Sequence, residues 1–143
     1  MRAVLLIAIG GGIGAVARWG GMELLPSTAV ALLVVNTLGS CAIGLAFTQL
    51  DERYRDLYDV DAVISTRFHP LLVIGWLGSF TTYSSLALHL VHGLQDGHVG
   101  AAIALLVASL VLGIGGLALG VGLGRLWHVK RRRTATPPPQ ETS

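Results

Sequence analysis

Four long stretches of the chain contain no charged residue, and they constrain the fold more than any other feature. They are 3–17, 24–50, 68–95 and 97–124. A helix of ~20 apolar residues crosses the ~30 Å hydrocarbon core of a bilayer. The 143 residues are 52% hydrophobic and 13% charged, whereas soluble domains carry about 25% charged residues. We therefore predict an all-α integral membrane protein with four transmembrane helices.

The spans leave short links and a polar tail. We predict helix 1 over about 3–22, helix 2 over 28–48, helix 3 over 70–92 and helix 4 over 99–123. Residues 1–129 would form one transmembrane domain, and the basic, then proline-rich tail 130–143 is expected to be disordered. A cleavable signal peptide is the alternative for the first residues, but Gly10–Gly12 interrupts the apolar run and no usual cleavage site follows.

The basic residues are divided unevenly between the two sides of the membrane. With four spans, both termini and the middle link 51–69 share one side. Nine of the 10 Lys and Arg residues fall there, namely Arg2, Arg53, Arg55, Arg67, Arg125 and Lys130–Arg133, while Arg18 lies toward the other side. The positive-inside rule predicts cytoplasmic termini in the inner (plasma) membrane. The terminal cluster is typical of an anchor at the lipid surface, and we expect no nucleic-acid partner.

Small residues recur at four-residue spacing in three of the helices. The sets are Gly10 and Gly14, Ser40 and Gly44, and Gly116, Gly120 and Gly124. Such stripes let helix backbones approach closely in a membrane. We expect them to form helix–helix contacts.

Hydroxyl side chains crowd residues 79–85, in the middle of helix 3 and just after Gly75 and Gly78. Two structures fit this pattern. An interrupted helix would free backbone groups that line a watery or ion-binding path. An intact helix would let its Ser and Thr side chains bond to carbonyls one turn earlier.

The polar groups within the spans are mainly hydrogen-bond donors. Asn36 is the only amide of helix 2, and no Asp or Glu lies in any span. A proton-coupled transporter would be expected to carry an acidic residue, so the donors point to an anion. Asn36 also suits a bond between helices, and Arg18 suits snorkelling to the interface.

Neither a metal site nor a catalytic site has support in the sequence. His89 and His92 could share a helix face, but no Cys, Asp or Glu beside them completes a metal site. Cys41 is the only cysteine. We find no nucleophile–base set, phosphate loop or carboxylate pair, so we do not expect an enzyme.

Three segments of the first three spans read GGGIGAVAR over 10–18, NTLGS over 36–40 and GWLGSFTTYSS over 75–85. Together they resemble the Fluc (CrcB) family of fluoride channels. They come in the family's order, one in each of the first three spans. The likeness covers all of the chain but the tail.

The resemblance implies an antiparallel, dual-topology-type dimer with two narrow fluoride pores. It implies a helix 3 that is interrupted near Gly78–Thr81, with a structural sodium ion at the dimer centre held by the backbone carbonyls of Gly78 and Thr81. The pore residues that it implies are Asn36, Thr82, Tyr83, Ser84 and Ser109, with Arg18 near the pore entrance. Fluoride is small and tightly hydrated, so closely placed donors and positive ring edges must replace its water.

The chain departs from the family within this pore. Tyr83 and Leu86 stand where the family has two phenylalanines, and His89 stands where an acidic residue is usual. Helix 4 has only Ser109 where the family often carries a polar track. A subunit that inserts in both orientations to form a homodimer should have similar numbers of basic residues on its two sides. This chain has nine against one, so we predict that it inserts in one orientation and forms a heterodimer with a homologous subunit.

The sequence thus predicts a passive fluoride channel subunit that lowers cytoplasmic fluoride. One alternative is a structural or regulatory membrane subunit with a degenerate pore. Another is a small four-helix exporter of cationic compounds, which an intramembrane Glu would favour.

Overall fold

The computed structural model describes residues 2–53 and 69–135, which are helical apart from turns. The elements are α1 (Arg2–Glu23), α2 (Thr28–Arg53), a π-helix (His69–Leu77) running into α3 (Gly78–Phe80), α4 (Ser84–Gln95) and α5 (Val99–Ala135). Four segments are long and apolar enough to cross a membrane: Arg2–Glu23, Thr28–Thr48, Leu71–Gln95 and Val99–Trp127. The predicted all-α, four-span, multi-pass fold is confirmed.

Two helix boundaries lie beyond the predicted ones. Helix α2 continues past residue 48 to Arg53, and α5 continues past residue 123 to Ala135. Gln, Lys and Arg are good helix formers, so the polar residues beyond each apolar stretch continue the helix. The basic run 130–133 is therefore helical instead of belonging to a disordered tail. The rest of that tail, 136–143, and most of the middle link, 54–68, lie outside the described residues.

Local capping closes the two tight turns. The Ser27 hydroxyl accepts a hydrogen bond from the Val30 amide (3.3 Å) at the start of α2, as N-cap residues do. Gly97 ends α4 with a φ of 78°, a conformation that glycine adopts without strain. The His98 amide then bonds to the Gly93 carbonyl at 2.8 Å.

Glycine stripes bring the helix backbones into contact. Helix α2 packs along α5, and α1 packs against the π-helix. A Cβ atom at Gly120 would overlap the Cys41 carbonyl of α2, and one at Gly14 would overlap the Trp76 carbonyl of the π-helix. These contacts confirm the expectation from the small-residue spacing.

Much of the apolar surface remains uncovered in the single chain. Ala31, Leu32 and Val35 form the most buried part of the core, at 0–2% exposure. The large side chains along the outer face of α5 are exposed, including Ile103, Val107, Val111 and Ile114. Such a surface suits lipid or another subunit.

Candidate functional site

The third span is broken between α3 and α4. Thr81 has φ −74° and ψ 150°, which is extended backbone, and residues 81–83 are not helical. The Thr81 hydroxyl does bond to the Leu77 carbonyl (3.1 Å), as expected for an intact helix, yet the helix ends there. Of the two predicted structures, the interrupted helix is confirmed.

Asn36 of α2 holds the broken segment by two hydrogen bonds. The Thr82 amide donates to Asn36 Oδ1 at 2.8 Å, and Asn36 Nδ2 donates to the Thr82 carbonyl at 3.1 Å. This pair replaces the bonds that helical geometry no longer provides at Thr82, which is 5% exposed. One N–H of the Asn36 amide remains available for another acceptor, because the group carries two hydrogens.

The change of hydrogen-bond partners at the break also releases two carbonyls from helical bonding. In a continuous α-helix the Thr82 amide would bond to the Gly78 carbonyl, and the Ser85 amide would bond to the Thr81 carbonyl. Here the Thr82 amide bonds to Asn36, and the Ser85 amide bonds to Thr82 Oγ1 at 3.1 Å. Among the described residues, no hydrogen bond engages the carbonyls of Gly78 and Thr81, so both can accept another partner.

The Thr82 side chain caps the first turn of α4. Its hydroxyl accepts the Ser85 amide, three residues on, and donates to Ser85 Oγ at 3.0 Å. Ser84 Oγ lies 3.4 Å from the same hydroxyl. A side-chain cap of this kind satisfies an amide that would otherwise be unpaired at the start of α4.

A groove of about 270 Å³ lies beside the break, between α2, α4 and α5. Its polar lining comes from Asn36, Ser40, Thr81, Thr82, Tyr83 and Ser109, and its apolar lining includes Leu86, Leu106 and Leu110. Ser109 Oγ is buried and has no hydrogen-bond partner within the described part of the chain. The groove therefore offers an amide N–H and a hydroxyl to a ligand and presents no carboxylate in its described lining.

The structure brings together most of the predicted site residues. Asn36, Thr82, Tyr83 and Ser109 line the groove, and Ser84 contacts Thr82 beside it. Tyr83 is 80% exposed, so its ring lies at the open side of the groove. Arg18 is half-buried on α1 and is not part of the described groove lining.

Three further residues shape the site without having been predicted as site residues. A Cβ atom at Gly39 would overlap the Thr81 side chain, so glycine lets α2 approach the break. Ser85 completes the cap on Thr82, and Ser40 lines the groove one turn from Asn36. All three lie inside the motifs that carry the resemblance, but only the tertiary contacts reveal what they do.

Comparison with known proteins identifies the family. The family model described as "CrcB-like protein, Camphor Resistance (CrcB)" matches residues 5–121. The chain belongs to the CrcB family. That match spans the groove, the break and the residues that hold it, and it ends within α5.

Three relatives within the family carry the same name. A protein of Francisella tularensis named "Fluoride-specific ion channel FluC" is 36% identical over 121 residues, covering 82% of this chain and 90% of the relative. A Rhodospirillum centenum protein of the same name is 35% identical over 133 residues, covering 87% and 97%. One from Saccharophagus degradans, also so named, is 32% identical over 123 residues, covering 83% and 86%. The relatives of this CrcB chain are thus named as channels, a class of transport protein distinct from enzymes.

Proposed function

We propose that this chain is a subunit of a passive, fluoride-selective channel that lowers cytoplasmic fluoride. The observation that carries the proposal is the groove at the broken span, whose polar lining consists of an amide and hydroxyls. The described spans contain one carboxylate, Glu23, which is the last residue of the first span and does not line the groove. The names of the relatives in the CrcB family support the same ion.

The chemistry of the groove suits a small, strongly hydrated anion. Fluoride must lose water in a narrow pore, and donors have to replace that water. The spare N–H of Asn36 and the unpaired hydroxyl of Ser109 are such donors. The edge of the Tyr83 ring is electropositive and adds a further favourable contact.

We also propose a structural sodium ion at the break, bound by the carbonyls of Gly78 and Thr81. The fit rests on the bonding of the broken segment, which releases both of these oxygens from the helix. Carbonyl oxygens are suitable ligands for a hard cation. Two carbonyls leave most of the coordination shell open, so a second subunit would supply the remainder. A bound sodium ion would offset the partial negative charge of these carbonyl oxygens.

The proposed assembly is an antiparallel heterodimer. Tyr83 is 80% exposed and the groove is open on that side, which suits closure by a homologous subunit. The nine-to-one division of basic residues favours one orientation in the inner (plasma) membrane, with both termini in the cytoplasm. One pore would pair Tyr83 with an aromatic ring of the partner, and the other would contain Leu86.

Fluoride efflux from liposomes tests the function and the assembly. Purified chain, with and without a homologous subunit of opposite charge bias, is reconstituted in fluoride-loaded liposomes. We expect efflux with the partner and little without it. Rapid efflux from this chain alone would refute the heterodimer, whereas no efflux in either preparation would refute the channel. Replacing sodium by N-methylglucamine should reduce efflux if the ion is structural.

A structural or regulatory subunit with a degenerate pore is the second candidate. Leu86 lines the groove at 5% exposure and offers no donor, and the neighbouring α5 side chains Leu106 and Leu110 are apolar. In that case, deleting the chain from cells would alter the activity of a partner. Fluoride efflux from the reconstituted complex would be the same with the wild-type chain as with an Asn36 variant. An exporter of cations is less consistent with the described spans, because their only carboxylate is Glu23, at the very end of the first span.

A further inference from the structure

The Ser40 hydroxyl lies in the groove and is not used by the protein itself. Serine and threonine side chains within a helix usually bond to a carbonyl about one turn earlier. The Thr48 hydroxyl bonds in this way to the Leu45 carbonyl at 2.8 Å, and the Thr81 hydroxyl bonds to the Leu77 carbonyl at 3.1 Å. Ser40 makes no such bond in the described structure, although it lines the groove. Its O–H is therefore available to a ligand there.

Helices α2 and α5 run parallel to each other and in register beside the groove. A Cβ atom at Gly116 would lie 2.7 Å from the Thr37 carbonyl, and one at Gly120 would overlap the Cys41 carbonyl. From the first contact to the second, the chain advances four residues on each helix. Residues that are displaced by the same number along both helices therefore face each other at the same depth.

This register divides the groove into two levels, one helical turn apart. Asn36 and Ser109 line the groove from α2 and α5. Four residues further along the same helices are Ser40 and Gly113, which also line it. A Cβ atom at Gly113 would lie 3.8 Å from Ser40 Oγ, so the two residues face each other. Four helical residues rise about 6 Å, which separates the second level from the first.

At the second level, α5 contributes no side chain to the groove. A methyl group at Gly113 would be in ordinary van der Waals contact with the Ser40 hydroxyl, so the space that glycine leaves open adjoins this O–H. Ile43, the next lining residue along α2, is apolar. Among the lining residues that α2 and α5 contribute beyond Asn36 and Ser109, Ser40 thus carries the one side-chain donor.

We propose that Ser40 is a second anion-binding donor of the groove, which receives the permeating fluoride one helical turn beyond Asn36 and Ser109. The inference rests on the proposed fluoride channel and extends its path by one binding position. An ion moves through a narrow pore when several adjacent positions each replace part of its water. Without a donor at the second level, fluoride would have to cross this turn beside apolar side chains. Ser40 is therefore a specificity-determining residue for the small, strongly hydrated anion.

Fluoride efflux from liposomes tests this role by removing the hydroxyl from α2 and restoring it on α5. In the preparation that conducts, the chain alone or with its homologous subunit, S40A should reduce efflux about tenfold, as expected for the loss of one hydrogen bond to a charged group. S40A/G113S should recover most of the efflux, because the 3.8 Å separation leaves room for the added Cβ and its hydroxyl. S40A/G113A adds the same Cβ without a hydroxyl and should not recover it.

Thr48→Val is the control for removal of a hydroxyl from α2. The Thr48 hydroxyl already bonds to the Leu45 carbonyl and does not line the groove, so this variant should keep the wild-type efflux. Wild-type efflux from S40A, or a similar loss in Thr48→Val, would overturn the second donor while leaving the channel intact. Equal efflux from the two double variants would also overturn it, because the loss in S40A would then come from packing. Absence of efflux from the wild-type preparation would refute the proposed channel, and this role with it.

Discussion

Replacing Asn36 with alanine should destabilise the broken span more than any other single truncation in the groove. The alanine removes the acceptor of the Thr82 amide (2.8 Å) and the donor to the Thr82 carbonyl (3.1 Å). Thr82 is 5% exposed, so water cannot readily replace either bond. The change would therefore leave two backbone groups unpaired at membrane depth.

The structure sets the magnitude of this loss. A hydrogen bond between membrane helices contributes about 0.6 kcal/mol on average, and a buried polar group without a partner costs about 1–3 kcal/mol. Two such groups left without partners at Thr82 would cost about 2–6 kcal/mol. Partial relaxation of the segment lowers this cost, so Asn36→Ala should reduce the free energy of unfolding by about 2–4 kcal/mol.

Unfolding in mixed detergent micelles, followed by circular dichroism, measures the effect. Ser40→Ala is the matched control: Ser40 lines the same groove one turn away, and the described structure gives its hydroxyl no hydrogen bond. We expect that control to change the stability by under about 0.5 kcal/mol. If Asn36→Ala were equally mild, the two bonds would not be what holds the break.

Asn36→Asp separates the structural role from the role in transport. The carboxylate retains the acceptor for the Thr82 amide but cannot donate to the Thr82 carbonyl or to an anion. Its charge also repels fluoride from the groove. We expect part of the stability to be kept and fluoride efflux to be lost, by at least about tenfold. Efflux at the wild-type rate would show that the Asn36 amide does not contact the permeating ion.

Three further predictions concern the groove and the helix contacts. Leu86→Phe should increase fluoride efflux from the complex, since it restores a ring edge, whereas Leu86→Ile should not. Equal efflux rates for the two variants would show that Leu86 is not what closes the second pore. Tyr83→Ala should reduce efflux about tenfold and Tyr83→Phe should largely preserve it, as measured with a fluoride electrode; a similar loss in both would implicate the hydroxyl instead of the ring. Gly120→Val should lower the stability by about 3 kcal/mol because its Cβ would overlap the Cys41 carbonyl, while Gly122→Val, in open space, should change it by under about 1 kcal/mol in the same unfolding assay.

Periodicity and charge were sufficient to predict the spans. Apolar stretches free of charge have few alternatives to membrane helices, because every backbone amide in a bilayer needs a partner. The spacing of Gly14 and Gly120 likewise predicted contact faces, since only small residues allow such approach. The extension of α2 and α5 beyond the apolar stretches was less predictable, because polar residues such as Gln, Lys and Arg also favour the helix.

The interruption of the third span shows what the tertiary structure adds. The run 79–85 fitted both an intact and a broken helix, because hydroxyl side chains can pair with the backbone in either form. Asn36, more than forty residues earlier, decides between them by bonding to both backbone groups of Thr82. The π-helix before the break and the role of Gly39 depend in the same way on neighbouring helices.

The sequence by itself determined that this chain spans a membrane four times, which residues can donate hydrogen bonds there, and to which family its motifs are similar. Only the tertiary structure decided where the third helix breaks and which carbonyls the break releases. The physical reason is that local patterns fix helices through backbone bonding within each span. A site built from several spans depends on contacts between side chains and backbone groups that are distant in sequence.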